Sequence, residues 1–211
     1  MKTHELIGLL SSDAALPTQS HWRLPASVLM AGLLSLALVA GVWGLHRDLP
    51  GLFQSDSFQL KLLWVLVLMV GSAWVLRRLA RPSQRMGQGI YLLVMAFLAM
   101  DLAGANAMLQ AQPDQRLALM LGRSWWACPL SITVISLPWT GVWMQYLRHM
   151  APTRLALSGA VAGLLSGVTA TAFYSLHCTE TSFAFFSVWY FAGMALSTLL
   201  GAVLGARFLR W

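Results

Sequence analysis

Six apolar stretches divide this chain, and they settle its fold class before any motif is read. They run Ala26–Leu45, Phe58–Leu76, Ile90–Leu109, Cys128–Leu147, Leu155–Leu176 and Phe183–Ala206. Each approaches the ~20 residues that a helix needs to cross ~30 Å of hydrocarbon. Irregular backbone cannot face lipid, so each stretch is expected to be helical. Charged residues make up only 10% of the chain, against about 25% in a soluble protein. The expectation is an all-α, polytopic membrane bundle: a six-helix transmembrane domain over 26–211, preceded by a short polar head over 1–25. The second stretch is the weakest because it carries Lys61 in its first turn, and we expect that side chain to snorkel to the interface.

Lys and Arg positions set the orientation. With six spans both termini share one side. That side holds Lys2, Arg23, Arg77, Arg78, Arg81, Arg85, Arg148, Arg154, Arg207 and Arg210, ten of the chain's fourteen Lys and Arg residues. Arg47, Lys61, Arg116 and Arg123 fall on the other. The positive-inside rule then predicts cytoplasmic termini in an inner membrane. The net charge of +7 reads as topology, not as a nucleic-acid surface. Glu5 and Asp13 precede the first apolar core, which is longer than a signal-peptide core, so it is read as a retained span.

Small residues recur at i, i+4 spacing in the last two spans: Gly159, Gly163 and Gly167, then Gly193, Ser197, Gly201 and Gly205. Stripes without side-chain bulk let helices approach closely in lipid. They predict a tight hairpin of the fifth and sixth spans, with a dimer interface as the alternative; oligomeric state stays open. Trp22, Trp74, Trp125, Trp126 and Trp211 lie at span ends and read as interfacial anchors.

In the head, Leu6, Ile7, Leu9 and Leu10 crowd one side of a short helix bounded by Pro17. So few residues do not hold a helix alone in water. A helix-in-groove partner would supply the missing surface; an amphipathic anchor lying on the bilayer is the alternative.

No Gly-rich phosphate loop, CxxC motif, buried histidine pair or Ser/His/Asp cluster stands out, so neither catalysis nor a cofactor is expected. Asp101 is the sole acid inside an apolar stretch. It supports a rival reading, a small transporter or channel, with Lys61 able to reach it if the second and third spans pack there.

Cys128 and Cys178 are the only cysteines. Both fall at span ends predicted to face the oxidising side, where disulfides persist. Cys128 precedes Pro129 at a helix start, a position that activates thiols. A structural disulfide, a redox switch and a soft-metal site all remain open. The metal site would use Cys128 and Cys178 with His177 or Glu180 as the added ligand; two thiolates and the His177 imidazole would suit zinc, cadmium or copper(I).

Several segments together resemble the NrsF-type negative regulators of extracytoplasmic-function sigma factors. They are Met1-Lys2-Thr3, Leu6-Ile7, Leu10 and Asp13; Leu60-Lys61-Leu62; Leu79-Ala80-Arg81-Pro82; Cys128-Pro129; Ala151-Pro152-Thr153-Arg154; Leu176-His177-Cys178; Val188-Trp189-Tyr190; and Leu209-Arg210-Trp211. The resemblance covers the whole chain. It implies a six-span inner-membrane anti-sigma factor that holds an extracytoplasmic-function sigma factor inactive and releases it under stress. It makes no direct contact with nucleic acid. The resemblance also implies that Cys128 and Cys178 match the paired cysteines linked to stress sensing.

Overall fold

The computed structural model describes residues 23–44, 48–81, 87–122, 124–178, 180 and 182–210. Leu6, Ile7, Leu9 and Leu10 of the expected partner-binding head lie outside them, as do Trp22 and Trp211. All regular structure among the described residues is helical.

Six helices are long and apolar enough to cross a membrane. The first, α1 (Arg23–Leu38), continues through a π-helical turn, Val39–Trp43. It begins within the expected head, so Arg23, Leu24 and Pro25 form its first turn, where backbone N–H groups have no helical partner for proline to forfeit. A short α2 (Leu49–Gln54) is capped by the Asp48 carboxylate, which accepts from Gly51 N at 3.0 Å. The next spans are α3 (Asp56–Leu79) and α4 (Gly89–Gln110). A second short helix, α5 (Pro113–Leu121), leads to α6 (Ala127–Met150) and α7 (Leu155–Tyr174). The last span, α8 (Phe183–Phe208), contains a second π-helical turn at Phe186–Tyr190.

The centre of the bundle is α7, packed between α8, α6 and α3; α4 leans on α3 and on the start of α8, and α1 lies outermost against α6. The glycine stripes explain the α7–α8 contact. A Cβ at Gly163 would fall 3.0 Å from the Cα of Gly201, and one at Gly205 would fall 2.7 Å from the Cα of Gly159. Gly167 faces Ser197 in the same seam. Gly193 does not share it. Its missing side chain makes room for Ile132 of α6, 2.9 Å from where a Cβ would sit. Four residues advance an α-helix 40° beyond a full turn, so a strict i, i+4 stripe drifts around the helix and its first member meets another neighbour.

Most polar groups inside the bundle are locally satisfied; Trp143 Nε1, Ser158 Oγ and the Tyr190 hydroxyl are exceptions among the described residues. Ser72, Thr140, Ser166, Thr169 and Thr171 each donate to the carbonyl four residues earlier. Between helices, Trp139 Nε1 donates to Ser35 Oγ at 2.9 Å, Trp64 Nε1 to Ala96 O at 2.9 Å, and Ser136 meets Ser197 at 3.0 Å. The outer surface is apolar: Leu29, Met30, Met95, Leu98, Leu102, Leu199 and Val203 are all exposed. Such a surface suits lipid rather than water. Trp74, Trp125 and Trp126 are exposed as well.

Candidate functional site

One end of the bundle gathers the link between α1 and α3, the link between α4 and α6, and the link between α7 and α8. Cys128 and Cys178 meet there. Cys128 sits in the first turn of α6, its N–H bonded to Ser124 O, and is wholly buried. Cys178 follows the last turn of α7, with its N–H on Tyr174 O at 3.1 Å, and is buried too. Both are free thiols, and their side chains lie against each other. Residues fifty positions apart are thus in side-chain contact without being cross-linked.

Lys61 completes the cluster, and this corrects the expectation that it snorkels. Its side chain is 1% exposed. Nζ lies 4.4 Å from the centroid of the Phe186 ring, 4.9 Å from Tyr190 and 5.9 Å from Phe58. Ring faces carry negative charge density and attract a desolvated cation. Phe58 comes from α3 itself, one turn before Lys61, whereas Phe186 and Tyr190 are the first and last residues of the π-helical turn in α8, both buried and 4.9 Å apart. Single π turns of this kind recur at functional sites. The Tyr190 hydroxyl is buried beside Cys178 without a hydrogen bond of standard geometry among the described residues. Tyr174 lies on the other side, its side chain near Cys128 and Ser131.

The two thiols are not equivalent. Cys178 lines a small pocket with Lys61, Glu180, Phe58, Phe186, Leu52 and Ser57, whereas Cys128 lies behind it. Its position at the helix start therefore does not make Cys128 the accessible thiol. The Cys178 thiol is pushed down from its ordinary value, chiefly by the neighbouring Cys128 side chain; burial opposes this and the Lys61 ammonium assists it. Hydrogen bonds and positive charge favour the thiolate over the thiol.

His177 is not arranged as a third ligand for a metal held by the thiols. Its Nδ1 lies 2.9 Å from Gly44 O, and its ring packs 5.7 Å from that of Tyr174. Among the described residues no group of three or more His, Cys, Asp or Glu is placed to hold a metal ion. Gly44 can present its carbonyl this way because it leaves the π turn of α1 at φ 80, a conformation that favours glycine.

Asp101 lies elsewhere, on the exposed side of α4, whereas Lys61 lines the pocket with Cys178 and Glu180. The expected Lys61–Asp101 pairing is absent. With it goes the geometric basis for an inward conduction path through Asp101.

The sequence did contain a signal for Lys61. Phe58, Lys61, Val65, Leu68, Ser72, Val75 and Leu79 follow alternating steps of three and four residues, and all are buried. That spacing puts Lys61 on the core-facing stripe of α3. Tyr174, Phe186 and Tyr190 had no comparable signal, because aromatic residues near span ends ordinarily anchor at the interface.

Comparison with known proteins identifies the family of the chain. The family model described as "Negative regulator of sigma F", NrsF, matches residues 10–211. A probable anti-sigma-F factor NrsF of Azospira oryzae is 33% identical over the full length of both chains. The anti-sigma-F factor NrsF of Caulobacter vibrioides is likewise 33% identical over the full length of both. No solved structure matches. The chain belongs to the NrsF family of negative regulators of sigma F.

Proposed function

We propose that this protein is a membrane-embedded anti-sigma factor. It holds a sigma factor of the extracytoplasmic-function class at its cytoplasmic face and releases it when chemistry at the thiol pair changes. The observation that carries the reading is the contact between Cys128 and Cys178 at one end of the bundle. The opposite end holds Arg77, Arg78, Arg148, Arg154 and Arg207, the pattern of a cytoplasmic face. Input and output then lie on opposite sides of the inner membrane. The apolar residues Leu6, Ile7, Leu9 and Leu10 supply the surface that docks on the sigma factor.

The test is affinity purification of the full-length protein from membranes. A sigma factor should co-purify, and Leu6→Asp with Leu10→Asp should abolish its recovery while the protein stays in the membrane. Retention of the sigma factor by that variant would move the docking site elsewhere. Recovery of no sigma factor by the unmodified protein would overturn the function. Cys128→Ser and Cys178→Ser should each alter stress-induced release; unchanged induction in both would remove the thiols from signalling.

A further inference from the structure

We propose that Cys178 is the thiol that first meets an incoming small electrophile, and that Lys61 is the positioning residue that keeps it in the thiolate form. This rests on the reading of the thiol pair as the sensor, and extends it by assigning different roles to the two sulfurs and a role to a lysine.

Access is the first ground. Cys178 lines the pocket that opens between α2, α3 and the start of α8, while Cys128 has no exposed surface behind it. A reagent entering from this face reaches Cys178 first. The second ground is the buried ammonium. A lysine taken out of water is costly unless negative charge lies near it. The ring faces of Phe186 and Tyr190 offset part of that cost. A thiolate at Cys178, on the same pocket wall, offsets more and is itself stabilised in return. The third ground is the buried Tyr190 hydroxyl, which lacks a well-aligned partner and stands beside Cys178. It is a donor in reserve for a sulfur that becomes negative.

The titratable groups around Cys178 come from every packed element: Lys61 on α3, Cys128 on α6, Tyr174 on α7, His177 and Glu180 in the link, and Tyr190 on α8. His177 is engaged with Gly44. Among the described residues, Lys61 is therefore the cation that faces Cys178 across the pocket.

Iodoacetamide tests the assignment, because only the thiolate reacts: its sulfur displaces iodide and a carbon–sulfur bond forms. Full-length protein in detergent or membrane vesicles is labelled for short times at pH 5 to 10, and each cysteine is quantified by mass spectrometry. Cys178 should label at least about tenfold faster than Cys128. Lys61→Met should shift the midpoint of the Cys178 profile upward by a unit or more, slowing labelling about tenfold on the acid side of that midpoint. Lys61→Arg should restore most of the rate. Methionine matches lysine in length and is apolar, so the variant should stay folded, and tryptophan fluorescence checks that. Faster labelling of Cys128, or a Lys61→Met profile that coincides with that of the unmodified protein, would overturn the proposal. The labelling rates do not depend on a sigma factor. If they behave as expected while Cys178→Ser leaves release unchanged, the sensing reading fails and the assignment of Lys61 stands.

Discussion

The imidazole of His177 fastens the α7–α8 link to the end of the first span, its Nδ1 2.9 Å from the carbonyl oxygen of Gly44. A carbonyl only accepts, so Nδ1 carries the proton in this contact. The neighbouring residue is Cys178, and α1 is the helix that leads back to the N-terminal head. A change at the thiol pair is thus one residue away from the outer latch of the least enclosed span.

His177→Phe tests the latch. Phenylalanine keeps a ring against Tyr174 and removes the donor. Loss of one hydrogen bond costs about 1 kcal/mol, or roughly a fivefold change in a local opening equilibrium. Hydrogen exchange across Val39–Gly44 should rise by about that factor, while exchange in α7 stays as it was. Equal exchange in the two proteins would show that α1 is held by α6 alone.

The glycine seam makes a contrasting pair of predictions. Gly163→Ala places a methyl group against the Ser197 carbonyl and 3.0 Å from the Gly201 Cα, both of them backbone that cannot turn aside. Helices α7 and α8 must separate, and overpacking of this kind costs about 1–3 kcal/mol. Gly141 has nothing within 4 Å of its would-be Cβ, so Gly141→Ala should stabilise by about 0.5–1 kcal/mol through helix propensity. Thermal unfolding of the detergent-solubilised chain should therefore move in opposite directions for the two variants. A drop with Gly141→Ala would place a neighbour where the structure shows space.

How far the sequence foretold this arrangement depends on the range of each contact. Span number follows from hydropathy and length, which are local, and the six expected stretches coincide with α1, α3, α4, α6, α7 and α8 to within a few residues. The seam partners were partly legible, since small residues at a fixed spacing mark a smooth surface; the turning of Gly193 toward Ile132 was not, because it depends on where α6 lies. Lys61 was misplaced for a related reason. Its position near a helix end suggested the interface, but two of the aromatic side chains that enclose it come from residues 186 and 190, at the two ends of the π-helical turn in α8. The pairing of Cys128 with Cys178 was open as to chemistry, because spacing along a chain does not fix which side chains converge.

Asp101 separates a regulator from a transporter. It lies on the exposed side of α4, away from the central helix α7. A residue that carries ions must face an interior path. Asp101→Asn should leave both the unfolding midpoint and the co-purification of the sigma factor as they are, since substitutions on exposed surfaces usually stay within about 0.5 kcal/mol. Ion flux in proteoliposomes that is abolished by Asp101→Asn would reverse this view.

The hold of α6 on α1 rests largely on Trp139, whose indole N–H donates to Ser35 Oγ at 2.9 Å. The ring also packs under Gly32 and 6.0 Å from Phe173. Ser35 is wholly buried and Trp139 nearly so. Ser35→Ala strands the indole donor in an apolar setting, at a cost of about 1–3 kcal/mol. Trp139→Phe removes the donor but also ring volume, and leaves the serine hydroxyl to seek its own helix backbone, as Ser72 and Ser166 do. The double variant has neither orphan group and should be less destabilised than the sum of the single changes, by about 1 kcal/mol. Thermal unfolding of the four proteins closes the cycle. Strict additivity would mean that the hydrogen bond contributes nothing and that α1 is held by ring packing alone.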